Sequence, residues 1–174
     1  MYKRAFFSIM ALFAATAILA LSLTSSVMRV QSADGLLTRS FYVDDQVLPD
    51  HITYPFLMAI DRLRLESATP TERVYLQTEY ANRRLAYASE LFNRDQTDLA
   101  VTTLTKAQKY LLHAGQHVLY EQDNQRLHVH LSKTIEYHVK HIEKTLDSYD
   151  LSDSQRAAVD KLTEELLVLH GQLQ

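Results

Sequence analysis

The 174-residue chain has no cysteine, no tryptophan, and only three glycines and three prolines. Without cysteine it uses neither disulfides nor thiolate chemistry, and cysteine usage says nothing about the redox compartment. Gly35, Gly115 and Gly171 stand alone, so no Gly-rich loop cradles a phosphate and nucleotide binding is not expected. Neither sign of charge dominates: 18 Lys and Arg against 21 Asp and Glu leave a net charge of −3, and the basic residues are scattered. That distribution gives no electrostatic footprint for DNA or RNA. Catalytic signatures are also missing. There is no serine-nucleophile motif, and Glu164-Glu165 and Asp44-Asp45 are sequence neighbours that do not face one substrate. The sequence therefore predicts a protein that is not an enzyme and needs no cofactor.

What the chain does have is a run of 24 uncharged residues from Ala5 to Met28, preceded by Lys3 and Arg4. As a helix it would be about 36 Å long, enough to cross a hydrocarbon core of about 30 Å. Two readings stay open. The run is a signal anchor, or it is a secretory signal cut near the small residues Thr24 and Ser26 or Val30 and Ser32. Arg29, directly after the run, and the lack of an Ala-x-Ala triplet favour the anchor. The positive charge before the run predicts a cytoplasmic N-terminus, with the rest of the chain outside the membrane or, after cleavage, secreted. The membrane, through residues 5–28, is thus one expected partner; the other is a protein of unknown identity.

Residues 1–30 then form the leader and residues 31–53 a polar tether broken by Gly35, Pro49 and several aspartates; residues 54–171 form the folded domain. No stretch of the domain alternates with period two, whereas spacings of three and four recur throughout. The expected fold is all-α, a membrane or signal helix followed by an antiparallel bundle of about five helices. The first helix runs from about Pro55 to Ser67, with Phe56, Leu57, Ile60, Leu63 and Leu65 as its apolar set. Thr69, Pro70 and Glu72 write a capping box for the second, whose core stripe is Val74, Thr78, Ala81, Leu85, Ala88 and Phe92. A break at Asn93 to Thr97 leads into a third helix striped with Val101, Leu104, Gln108, Leu111, Gly115 and Val118. The polar run Glu121 to Gln125 reads as a turn before a fourth, striped with Leu127, Leu131, Ile135, His138, Ile142 and Leu146. Ser152 and Gln155 cap the last, whose stripe is Ala158, Leu162, Leu166 and Leu169, with Gly171 as its stop.

Eight histidines are the chemical enrichment. His113 and His117, at i and i+4 on the third helix, are the candidate metal ligands, since that spacing lets two imidazoles chelate zinc or copper. His138 falls on a core stripe and is expected to be a neutral, partly buried imidazole that charges only in acid. His138 and His141 stand at i and i+3, His128 and His130 point to opposite sides of their helix, and neither the His113–His117 nor the His138–His141 pair carries the glutamate of a zinc hydrolase. Arg83 and Arg84 are read as a solvated face, with Glu79 pairing Arg83 within the helix.

Leu48-Pro49-Asp50, Tyr54-Pro55, Asp61-Arg62-Leu63 and Ala81-Asn82-Arg83-Arg84-Leu85-Ala86 resemble the words LPDSPLYPLK and AERRLAEA of a bacterial domain family of unknown function. The likeness covers about Leu48 to Leu146, and the chain departs from it at His51-Ile52 and Met58, where the family has Ser-Pro and Lys. Members of that family stand behind signals or membrane anchors, and the resemblance implies a helical domain outside the cytoplasm with no assigned catalytic residues. Tyr87-Ala88, Leu91-Phe92 and Lys106-Ala107 are similar to the tetratricopeptide hairpin. No second copy follows at a period of about 34 residues, so generic hairpin packing is expected.

Overall fold

The computed structural model describes residues 48–120 and 124–174. Among them there are five helices and no strand: α1 (Tyr54–Ser67), α2 (Pro70–Asn93), α3 (Thr97–Tyr120), α4 (Gln125–Ser148) and α5 (Asp153–Gln172). The ends are written by local chemistry. Thr69 accepts from the Glu72 N–H at 3.4 Å while Glu72 Oε2 accepts from the Thr69 N–H at 3.0 Å, and Ser152 and Gln155 repeat this box at 3.3 and 2.9 Å. Those bonds hold the Glu72 carboxyl below its usual range. At the other end of α2, Asp95 adopts φ 58°, the Asp95 N–H reaches Phe92 O at 3.1 Å and the Gln96 N–H reaches Leu91 O at 2.9 Å. This is a Schellman turn built on aspartate rather than glycine, and it reverses the chain into α3. Asn124 caps α4 by accepting from the Leu127 N–H, so α3 and α4 are separate helices.

Helices α2 to α5 pack as a bundle. α3 and α4 each touch all of its other members, whereas α2 and α5 do not meet and stand at opposite corners. α2 and α3 form an antiparallel hairpin, and α4 and α5 another, joined by Ser132···His170 at one end and Arg156 Nη2 donating to Leu146 O at the other. Between the hairpins the neighbours run parallel. Thr78, Asn82 and Ser89 of α2 meet His130, His138 and His141 of α4 in ascending order, and Asp98, Gln108 and Gly115 of α3 meet Gln155, Thr163 and Leu169 of α5 likewise.

The expected stripes of α2, α3 and α4 are buried in full. They form two apolar clusters, one around Leu111, Leu131 and Leu166 and one around Leu91, Leu104 and Ile142. Between the clusters lies a polar waist. There Gln108 Nε2 donates to Val159 O at 3.1 Å and to Thr163 Oγ1 at 2.8 Å, and His138 meets Asn82. Gly115 lets α3 and α5 approach closely, since a Cβ there would lie 2.7 Å from Leu169 Cδ1 and closer still to Cδ2.

Three expectations need correction. The α5 stripe begins at buried Val159, not at exposed Ala158, because the Gln108 bonds to Val159 and Thr163 fix that face against α3. α5 does not stop at Gly171 but runs through it to Gln172, where the Leu173 N–H bonds back to His170 O; no glycine among the described residues has positive φ. Third, α1 is apolar on both sides, with Leu57, Met58 and Leu65 half-buried and the rest of its expected set turned outward. Its buried residue is Asp61, at 1% exposure, while Phe56, Ile60 and Leu63 are 73, 47 and 66% exposed. Among the described residues no helix is long and apolar enough to cross a membrane, and the run Ala5–Met28 lies outside them.

A histidine-lined groove as the candidate functional site

The parallel pair α2 and α4 is joined by three polar rungs. Thr78 Oγ1 lies 2.9 Å from His130 Nε2, Asn82 Oδ1 2.8 Å from His138 Nε2, and Ser89 Oγ 2.8 Å from His141 Nε2. Proton placement follows from the second bonds of the hydroxyls. Thr78 donates to Tyr75 O at 2.8 Å and Ser89 to Leu85 O at 3.1 Å, so both must accept from the imidazoles. Asn82 Oδ1 can only accept. Every rung therefore has Nε2–H donating to α2, each worth about 0.5–1.5 kcal/mol net. The outer acceptors and the outer histidines are each 11 positions apart, 78 to 89 and 130 to 141, about three helical turns on each side.

The three rings differ in how they can charge. His138 is fully buried, and its Nδ1 has no hydrogen-bond partner among the described residues. A proton arriving there would sit in the apolar core with nothing to accept from it. Burial first, and the nearby His141 second, depress the His138 pKa to about 4. Burial lowers His130 as well. His130 also leans on Tyr75, with ring centroids 4.9 Å apart, and Tyr137 lies 6.1 Å from the His141 ring.

Above the rungs the two helices leave an open groove of about 660 Å³. Its walls carry His130, His141 and Tyr137, with Glu90 from α2 and Lys133 from α4 as the charged members and Asn82, Ser89 and Asn93 as neutral polar ones.

The predicted metal ligands stand elsewhere. His113 is exposed and 3.4 Å from Gln116 Oε1, in a groove of about 450 Å³ between α3 and α5 that Glu165 also lines; half-buried His117 does not line it. Among the described residues no group of three or more His, Cys, Asp or Glu converges as a metal site. Sequence reasoning had missed the rungs. The signal was present in the equal 11-position offsets between Thr78 and Ser89 and between His130 and His141.

Arg83 and Arg84 are not a solvated face. Arg83 Nη2 pairs with buried Asp61 of α1. Arg84 is buried, with Nη1 donating to Tyr80 O at 3.3 Å, Nη2 2.9 Å from Met58 Sδ, and its guanidinium carbon 4.4 Å from the Tyr110 ring centre. These contacts hold α1 on α2, the helix it packs against. Burial raises the Tyr54, Glu79 and Tyr87 pKa values there, against the opposing pull of the arginines.

Residues 46–169 match the family model described as Domain of unknown function (DUF5667). The chain belongs to that family. The DUF5667 match begins before α1 and ends in the last turn of α5, so it takes in both the bundle and α1. No activity is assigned to DUF5667. No curated protein and no solved structure is significantly similar to this chain.

Proposed function

We propose that this DUF5667 protein is a membrane-anchored helical module of the cell envelope that works by binding another protein. The leader Ala5–Met28 holds it at the membrane with the bundle outside, and the groove between α2 and α4 receives a segment of the partner. The supporting observation is the composition of that groove, an open trough on a parallel helix pair whose wall carries Tyr137 at 59% exposure beside imidazole, amide and hydroxyl groups. Aromatic residues backed by neutral polar groups are enriched at protein contacts, and a trough between two helices fits a helical or extended segment. Lys133 and Glu90 supply opposite charges that fix its direction.

The test is a photo-crosslinking residue placed at Ala86 on the groove wall, in cells carrying the full chain. It is expected to yield a discrete protein adduct that Lys133→Glu abolishes, with none from the same residue at Asp160 on α5. Recovery of only the monomer and lipid adducts from the groove position would contradict the proposal.

A further inference from the structure

A surface helix normally turns its apolar stripe to the core. α1 keeps Leu57, Met58 and Leu65 half-buried but carries a second stripe: at about 100° per residue, Phe56, Ile60 and Leu63 fall within about 60° of one another, on the side facing away from α2. Just before the helix, Ile52 is 86% exposed. The inward side holds Asp61, locked to Arg83, and Met58, in contact with Arg84. Those bonds pin the rotation, so the apolar stripe cannot turn inward without stripping Asp61 from its guanidinium partner. On the same wheel half-buried Arg64 lies about 70° to one side of the stripe and Glu66 about 90° to the other, with Arg62 beyond it; Arg62, its side chain 82% exposed, pairs with Glu66.

We infer that the outward face of α1 is a lipid-docking surface, with Ile52, Phe56, Ile60 and Leu63 entering the headgroup–acyl boundary and Arg62 and Arg64 meeting anionic headgroups. The inference rests on the anchored reading. An exposed apolar stripe with arginines within side-chain reach of its edges suits an interfacial helix. Only 23 residues separate Met28, the end of the membrane-directed run, from Ile52. So short a connection keeps the face at millimolar effective concentration relative to the bilayer, and weak intrinsic affinity is enough. Docking would set the bundle at a fixed orientation above the membrane.

The chain has no tryptophan, so Phe56→Trp introduces a single reporter at an exposed position. The full chain carrying it is reconstituted in phosphatidylethanolamine–phosphatidylglycerol vesicles, with and without bromine-labelled acyl chains. Blue-shifted emission quenched at least twofold by the brominated lipid is expected, with Asp160→Trp unquenched. If Phe56→Trp floats with the vesicles but is not quenched, lipid docking is wrong and the anchor stands. Emission that is blue-shifted, unquenched and dependent on protein concentration assigns the face to a second copy and also overturns it, as does equal quenching at Asp160. A chain that does not float with vesicles removes the anchored reading and the inference together.

Discussion

Acidification should weaken the bundle through His138, by an amount the waist geometry sets. In the unfolded chain this imidazole titrates near 6.5, and in the fold near 4, because its Nδ1 is sealed in the core. Between those values the unfolded state binds a proton that the folded state refuses, so stability falls as pH drops from about 6.5 to about 4. Above that window the contribution is complete. The full shift is worth about 3 kcal/mol, and about 2 kcal/mol is lost by pH 5. With a urea dependence of about 1.5–2 kcal/mol per molar, the unfolding midpoint should move down by about 1 M between pH 7.5 and pH 5. His130, also lowered by burial, adds in the same direction. The informative comparison is His138→Leu. Asn82 lies at the exposed edge of the groove, so the freed amide hydrates and the variant should stay within about 1 kcal/mol of the parent at pH 7.5. Urea melts followed by circular dichroism should then show the gap between the two chains shifting by about 2 kcal/mol in favour of leucine at pH 5. Parallel loss of stability in both chains would refute the assignment to His138, as would an imidazole titration by NMR with a midpoint near 6.5.

Other consequences follow from single contacts. Asp61→Ala leaves Arg83 without its carboxylate and should loosen α1 by about 2–3 kcal/mol, seen as faster hydrogen exchange in Tyr54–Ser67 with α3 and α4 unchanged; unchanged protection of α1 would show that the pair does not hold it. Gly115→Ala should lower stability by about 1–2 kcal/mol despite alanine's higher helix propensity, because Leu169 must be displaced. Gly171→Ala, with open space around its Cβ, should be neutral or stabilising by up to about 1 kcal/mol. Urea midpoints check both, and stabilisation at position 115 would mean that α3 and α5 are not in close contact there.

The fold was legible where one face of a helix meets one core. The α3 and α4 stripes could be read because spacings of three and four describe a helix with a single buried side, and Thr69 and Ser152 announced their caps in sequence. α2 was half legible. It is covered from two sides, and its second buried set includes Gln77, Tyr80, Arg84 and Tyr87, whose side chains look solvent-bound in isolation. α1 misled for a physical reason. Periodicity locates an apolar face but not what it turns towards, and here a carboxylate paired across 22 residues of sequence decides the rotation. The groove was hidden similarly, since a histidine on one helix carries no local sign of an acceptor 52 to 56 residues away.

The central claim is that the α2–α4 groove is where this protein is bound. Hydrogen exchange compared between the full chain in membranes of the cells that produce it and the same chain purified in detergent tests it most directly. The account predicts slower exchange in membranes for residues 82–93 of α2 and 130–141 of α4, with the outer face of α5 unchanged; equal exchange across both groove segments in the two preparations would contradict it.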